Sequence, residues 1–152
     1  MKNQSLTTLL ILALGASVQL RAEDASIKEV AITASDQMKF SITHIDAKPG
    51  QTIHVVLTNQ GTMPKEVMGH NWVLLKAGVD VNAYANAAIS AAKENYQPKS
   101  HADQVLASIP LLGPKKEGEV TFTAPEAPGT YFYLCSFPAH AQAGMRGELV
   151  VK

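Results

Sequence analysis

Cysteine is almost missing from this chain: Cys135 is the only one among 152 residues, so no disulfide can form within it. Neither sign of charge is in surplus, with 13 basic against 13 acidic side chains. A neutral chain with no long basic or acidic run argues against binding nucleic acid, and it offers nothing to a polyionic partner. Long apolar stretches are lacking too. The run Leu6–Val18 has 13 residues, too few to span a bilayer comfortably. The length suits one ordinary globular domain, too large to need disulfide staples and too small for two.

What is present begins with an export signal. Lys2, the apolar run Leu6–Val18 and the small residue ending Leu20-Arg21-Ala22 have the order of a cleaved secretory signal. Residues 1–22 are therefore expected to be removed, leaving Glu23–Lys152 as the domain, with cleavage after Ala16 as the alternative. Losing Lys2 and Arg21 leaves 11 basic against 13 acidic groups, a charge of −2. No membrane-spanning segment is expected in the mature protein, and a monomer is expected. In an exported protein cysteines usually pair. A lone one points to a reactive thiol, an intermolecular bridge or a metal ligand.

From Ala25 onward strand patterns dominate. Ile27–Ile32, Met38–Ile42 and Thr52–Thr58 carry apolar residues at alternate positions, the period of a half-buried strand. Lys48-Pro49-Gly50 has Pro and Gly in the order of a type II turn. Asp80 can cap a helix over Val81–Glu94, with Val81, Tyr84, Ala88, Ile89 and Ala92 on its docking face. Strands resume at Gln104–Ile109, Glu119–Thr123, Thr130–Leu134 and Arg146–Val151. Seven or eight short strands with Gly/Pro punctuation and one inserted helix predict an all-β Greek-key sandwich.

The chemistry concentrates at Tyr131–Met145. Cys135, His140 and Met145 follow one another with four residues between each pair. Thiolate, imidazole and thioether are soft donors that suit copper. Two His, one Cys and a weak axial Met make the ligand set of a blue-copper electron-transfer site. The second imidazole is assigned to His70, within Met68-Gly69-His70-Asn71-Trp72. Gly69 permits a close backbone approach, so its carbonyl is a candidate weak ligand. Asn71 is placed to tie the His70 segment to the Cys135 loop, and Phe137 to exclude water. Met38, Met63, Met68, Phe137, Pro138 and Ala139 form a candidate apolar collar around the His140 edge, or simply pack core and loop. His44, His54 and His101 have no Cys or second His beside them and are read as surface histidines.

Pro64–Leu74, PKEVMGHNWVL, resembles the PKNVMGHNWVL of azurins, and Cys135–His140, CSFPAH, resembles their CTFPGH. With weaker matches at Asp36–Met38 and Val120–Phe122, the resemblance to the azurin branch of the cupredoxins covers essentially all of Glu23–Lys152. It implies an eight-stranded Greek-key sandwich with one copper ion on His70, Cys135 and His140, Met145 as axial ligand and the Gly69 carbonyl opposite. The four residues between His140 and Met145, where azurins have three, match the auracyanins and plastocyanin-like proteins instead. The azurin disulfide has no counterpart, which implies a first strand looser by about 2–4 kcal/mol than in a bridged relative.

The function so implied is periplasmic one-electron transfer, with redox proteins such as c-type cytochromes as transient partners at the His140 face and no catalysis. Periplasmic copper storage or delivery is the alternative. A hydrolase using Cys135 and His140 would need an orienting carboxylate and an oxyanion donor, and the sequence suggests neither.

Overall fold

The computed structural model describes residues 27–152, so the expected signal and its cleavage sites lie outside the described residues. Among the described residues nine strands form two sheets. They are β1 (Lys28–Ser35), β2 (Lys39–Phe40), β3 (His44–Ala47), β4 (Thr52–Asn59), β5 (His70–Leu75), β6 (Val105–Leu112), β7 (Glu117–Thr123), β8 (Gly129–Leu134) and β9 (Arg146–Val151). The first sheet has the order β2-β1-β4-β7 and the second β3-β9-β8-β5-β6. Pairing is antiparallel except at β1/β4 and β3/β9. Among the described residues no helix is long and apolar enough to cross a membrane.

Alternation builds the sandwich. On β4 every second residue faces inward, burying Ile53, Val55 and Leu57 against Val30 and Ile32 of β1 and Trp72 and Leu74 of β5. Each fully buried side chain of this kind contributes roughly 1.5–3 kcal/mol. Strand β5 is different, because all six of its residues are buried. Trp72 and Leu74 face the inter-sheet core, while Val73 and Leu75 are covered from outside by Tyr84 and Ala85. Those two belong to the helix α2 (Val81–Ala88), which follows the one-turn helix α1 (Lys65–Met68). The flap carrying α2 thus makes β5 a strand buried on both faces.

Three expectations shift. The helix expected over Val81–Glu94 ends at Ala88, and a 3₁₀ turn follows at Ala92–Glu94. Ile89 N–H already bonds three residues back to Asn86, and the Ser90 hydroxyl donates to the Ala87 carbonyl at 3.2 Å; such local bonds compete with the regular ladder. Ile89, expected on the docking face, is instead half exposed. The strand expected over Met38–Ile42 shrinks to β2, because Met38 takes φ +55° in the turn from β1 and the chain then leaves for the other sheet. There β3 adds a strand beyond those expected. Two features fall where predicted: Asp80 Oδ1 caps α2 by accepting from Asn82 N and Ala83 N, and Gly50 takes φ +69° with Gln51 N–H donating to Lys48 O.

The topology sets up one end of the sandwich. Val73 lies opposite Leu134 and Leu74 opposite Tyr133, while Leu134 lies opposite Arg146. The start of β5, the end of β8 and the start of β9 therefore meet. His70, Cys135 and Met145 stand at those three points.

Candidate metal centre

His70 opens β5 directly after Gly69. A Cβ on Gly69 would come within 2.6 Å of the Lys65 carbonyl oxygen and 2.9 Å of Leu111 Cγ, so only glycine lets α1 pass this close. Cys135 is the first residue beyond β8, where the sheet holds its backbone through Cys135 N–H to Met145 O at 3.0 Å. The loop then folds on itself. His140 N–H donates to Phe137 O at 3.1 Å, and Met145 N–H donates to His140 O at 2.9 Å. Ala139 and Gly144 accommodate the tight path at φ +68° and +94°.

The result is a cluster of three. One ligand-type atom each from His70, Cys135 and His140 lie within 4.8 Å of one another, and all three residues are buried. Cys135 Sγ stands 3.4 Å from His140 Nδ1, and the two imidazole centroids are 5.0 Å apart. Among the described residues no other group of His, Cys, Asp or Glu is gathered in this way. Both ring nitrogens of His70 are buried without a hydrogen-bond partner, an expensive condition for polar atoms.

Burial sets the protonation. It pushes the Cys135 thiol up to about 12, against the pull of the Asn71 and Phe137 backbone N–H groups. It depresses His140 to about 4, with the His70 charge adding to the effect, and it depresses His70 as well. The centre thus offers two neutral imidazoles with free lone pairs and a thiol that a cation can deprotonate. One sulfur and two nitrogens buried together fit a single copper ion by donor type.

The remaining predicted residues surround this cluster. Met145 is fully buried beside Cys135. Asn71 joins the His70 and Cys135 segments: Ser136 N–H donates to Asn71 Oδ1 at 2.8 Å, and Asn71 Nδ2 donates to Ser136 Oγ at 2.8 Å. Phe137 packs on the His140 ring with centroids 4.7 Å apart. Phe137, which the sequence also places in the docking collar, is 8% exposed. Of the other collar residues Met63 and Ala139 are exposed, and Met38, Met68 and Pro138 are partly so. His44 and His54 lie on the outer sheet faces, each between two carboxylates. His101 packs edge-on to Tyr84 in the flap.

Four nearby residues were given no role at the site by the sequence. Asp36 accepts from Thr62 N–H and Thr62 Oγ1, which hold its carboxyl below the usual range, and its charge acts on His70. Asn95 and Tyr96, just past the expected helix Val81–Glu94, supply carbonyls to Asn71 and Ser136. Ser136 itself carries no signal beyond its place after Cys135.

The model of the copper-binding proteins of the plastocyanin/azurin family matches residues 27–152. Azurin of Pseudomonas fluorescens biotype A is 36% identical over 127 residues, covering 82% of this chain and 98% of that azurin. Auracyanin-B of Chloroflexus aurantiacus is 37% identical over 119 residues, covering 78% of this chain but 49% of auracyanin-B, about half its length. Among solved structures, auracyanin A of Chloroflexus aurantiacus, described as a blue copper protein, aligns with a TM-score of 0.73 at 34% identity over 84% of this chain and 100% of its own. The auracyanin of Roseiflexus castenholzii gives the same TM-score and identity over 82% of this chain and 97% of its own. A match along the whole described span, relatives at this level of identity, and a buried sulfur gathered with two imidazoles all lead to one conclusion: the chain belongs to the plastocyanin/azurin family of copper-binding proteins.

Proposed function

We propose that this protein is a one-electron carrier with a type 1 copper site, in which His70, Cys135 and His140 are the strong ligands. Met145 is the axial ligand and the Gly69 carbonyl a weak contact opposite it. The copper ion supplies the Cu(I)/Cu(II) couple. The residues supply a site that changes little between the two states: two ligands anchored on strands, a loop closed by its own hydrogen bonds, and an Asn71–Ser136 brace. Phe137, packed on His140, excludes water. Electrons pass at the His140 edge, where the small Ala139 and the exposed Met63 let a redox protein such as a c-type cytochrome approach briefly. Small, weak interfaces suit such encounters. Export by the signal at residues 1–22 would put the domain in the periplasm as a monomer, with no catalytic activity of its own.

The observation that carries this function is the buried cluster of Cys135 Sγ and two neutral imidazoles. Copper storage or delivery would call for an exposed site that opens readily, and these three side chains are buried. The test is the visible spectrum of Glu23–Lys152 after adding Cu(II), beside Cys135→Ala. An intense band near ~600 nm that vanishes in the variant is expected for thiolate-to-copper charge transfer. A colourless protein, or colour that survives the loss of Cys135, would overturn the electron-carrier role. Rapid copper transfer to an apo-acceptor would favour delivery.

A further inference from the structure

Asn95 and Tyr96 take φ +55° and +58° in succession. The left-handed region is unfavourable for a residue with a Cβ, and two such residues in a row persist only where their surroundings fix them. Here the fixing groups come from the metal centre. Asn71 Nδ2 donates to the Asn95 carbonyl at 3.1 Å, and Ser136 Oγ donates to the Tyr96 carbonyl. The Tyr96 ring stands edge-on to Phe137 with centroids 4.9 Å apart, and Phe137 in turn packs on His140 at 4.7 Å. Tyr96 N–H donates to Ala91 O at 2.9 Å and Gln97 Nε2 to Ile109 O at 3.0 Å, so the segment is also tied to the flap and to β6.

The placement is specific. Asn71 follows His70 and Ser136 follows Cys135. The residue directly after each of two cluster members is therefore the one that grips the flap. Asn71 and Phe137, the residues whose backbone N–H groups act on the Cys135 sulfur, are also those that touch Asn95 and Tyr96. A flap held in place keeps those donors on the sulfur. A loose flap lets them retreat.

We propose that Tyr96 is a positioning residue for the metal centre, and that with Asn95 it clamps Asn71, Ser136 and Phe137 through two backbone carbonyls and one ring contact. For the copper-loaded protein this rests on the electron-carrier function; for the copper-free protein it does not. Hydrogen bonds to a metal-bound thiolate tune its redox potential. Losing them makes the sulfur a stronger donor, which favours Cu(II) and lowers the potential. Coupling between two sites is reciprocal, so loading copper stiffens the flap.

The test compares native protein with Tyr96→Phe, Tyr96→Ala, Ser136→Ala and the Tyr96→Ala/Ser136→Ala pair. Amide hydrogen exchange is read in the copper-free proteins, and reduction potential and thiolate-to-copper band in the loaded ones. Tyr96→Ala is expected to speed exchange about tenfold or more in both residues 91–97 and residues 135–140, and to lower the potential. Tyr96→Phe is expected to match native protein in every readout. Ser136→Ala, which keeps all the rings, should reproduce part of the effect, and the pair should fall short of the sum because both loosen the same segment. Faster exchange confined to residues 91–97 with an unchanged potential would overturn the clamp. If native protein gave no thiolate-to-copper band, the electron-carrier function would fail, and exchange at residues 135–140 would still decide the clamp.

Discussion

Asn71 and Ser136 grip each other twice, through Ser136 N–H to Asn71 Oδ1 and Asn71 Nδ2 to Ser136 Oγ, both at 2.8 Å. They lie 65 positions apart and both are buried, so the pair is a long-range staple between the strands that deliver His70 and Cys135. Truncating one side leaves the other's polar atoms in the interior without water.

Asn71→Ala strips Ser136 N–H of its acceptor, and an unpaired buried donor costs about 1–3 kcal/mol. Adding the lost contact to the Asn95 carbonyl, urea unfolding of the copper-free variant should give a stability lower by about 2–3 kcal/mol with an unchanged denaturant slope. A loss below about 0.5 kcal/mol, the scatter of ordinary surface changes, would show that the staple is not structural.

Ala139 sits at φ +68° next to His140, with an exposed side chain. The left-handed region costs a residue with a Cβ roughly 1–2 kcal/mol, and glycine avoids this at an unfolded-state entropy cost of about 0.4–1 kcal/mol. Ala139→Gly should therefore raise the stability of the copper-free protein by about 0.5 kcal/mol. Ala139→Val should lower it, since a branched Cβ is worse placed there. Equal stability in all three proteins would mean that the loop relaxes the strain.

Much of this architecture was legible in the sequence, and the failures share a cause. Strand β4 was plain because Ile53, Val55 and Leu57 alternate with polar residues along one face. His70, Cys135 and His140 were legible because few residue types bind a soft metal, and the chain has one cysteine. Strand β3 was missed because His44 and Asp46 leave only Ile45 and Ala47 as an apolar signal, and its pairing with β9 joins residues about a hundred positions apart. The role of Asn95 and Tyr96 was missed for a similar reason. A backbone carbonyl has the same chemistry at every position, so no residue type announces that it will accept a bond from the far side of a metal centre.

The surface histidines and the buried ones give pH slopes of opposite sign. His54 Nδ1 stands 2.6 Å from Glu29 Oε2, with Glu119 on its other nitrogen at 3.2 Å, and hydrogen bonding to Glu29 raises its pKa. A raised folded value gives stability that is complete below the unfolded value near ~6.5 and lost as pH rises through the folded value. His140, depressed to about 4, does the reverse: its contribution is lost as pH falls from ~6.5 toward 4, because the unfolded chain takes up the proton first. Copper-free His54→Gln should therefore show a flatter decline in stability as pH rises above ~6.5 than native protein, with the acid side unchanged. Parallel curves across that window would show that the two carboxylates do not favour the charged imidazole.

Copper uptake should release protons in a number fixed by the burial of the centre. At neutral pH the Cys135 thiol, pushed up to about 12, carries its proton in the copper-free protein, while His140 at about 4 and the likewise depressed His70 carry none on their ligand atoms. Metal binding requires a thiolate and neutral imidazoles, so about one proton should leave per copper bound at pH 7, rising above one at acid pH as the imidazoles charge. Titrating Cu(II) into copper-free protein, in buffers of different ionisation enthalpy, measures the number directly. Cys135→Ser should release none at pH 7 if it binds copper at all. No release from native protein would mean that the Asn71 and Phe137 N–H groups already hold Cys135 as a thiolate. Release of two would mean that an imidazole was charged. Either result would contradict a centre whose resting protonation is governed by desolvation, because burial favours the neutral form of all three side chains.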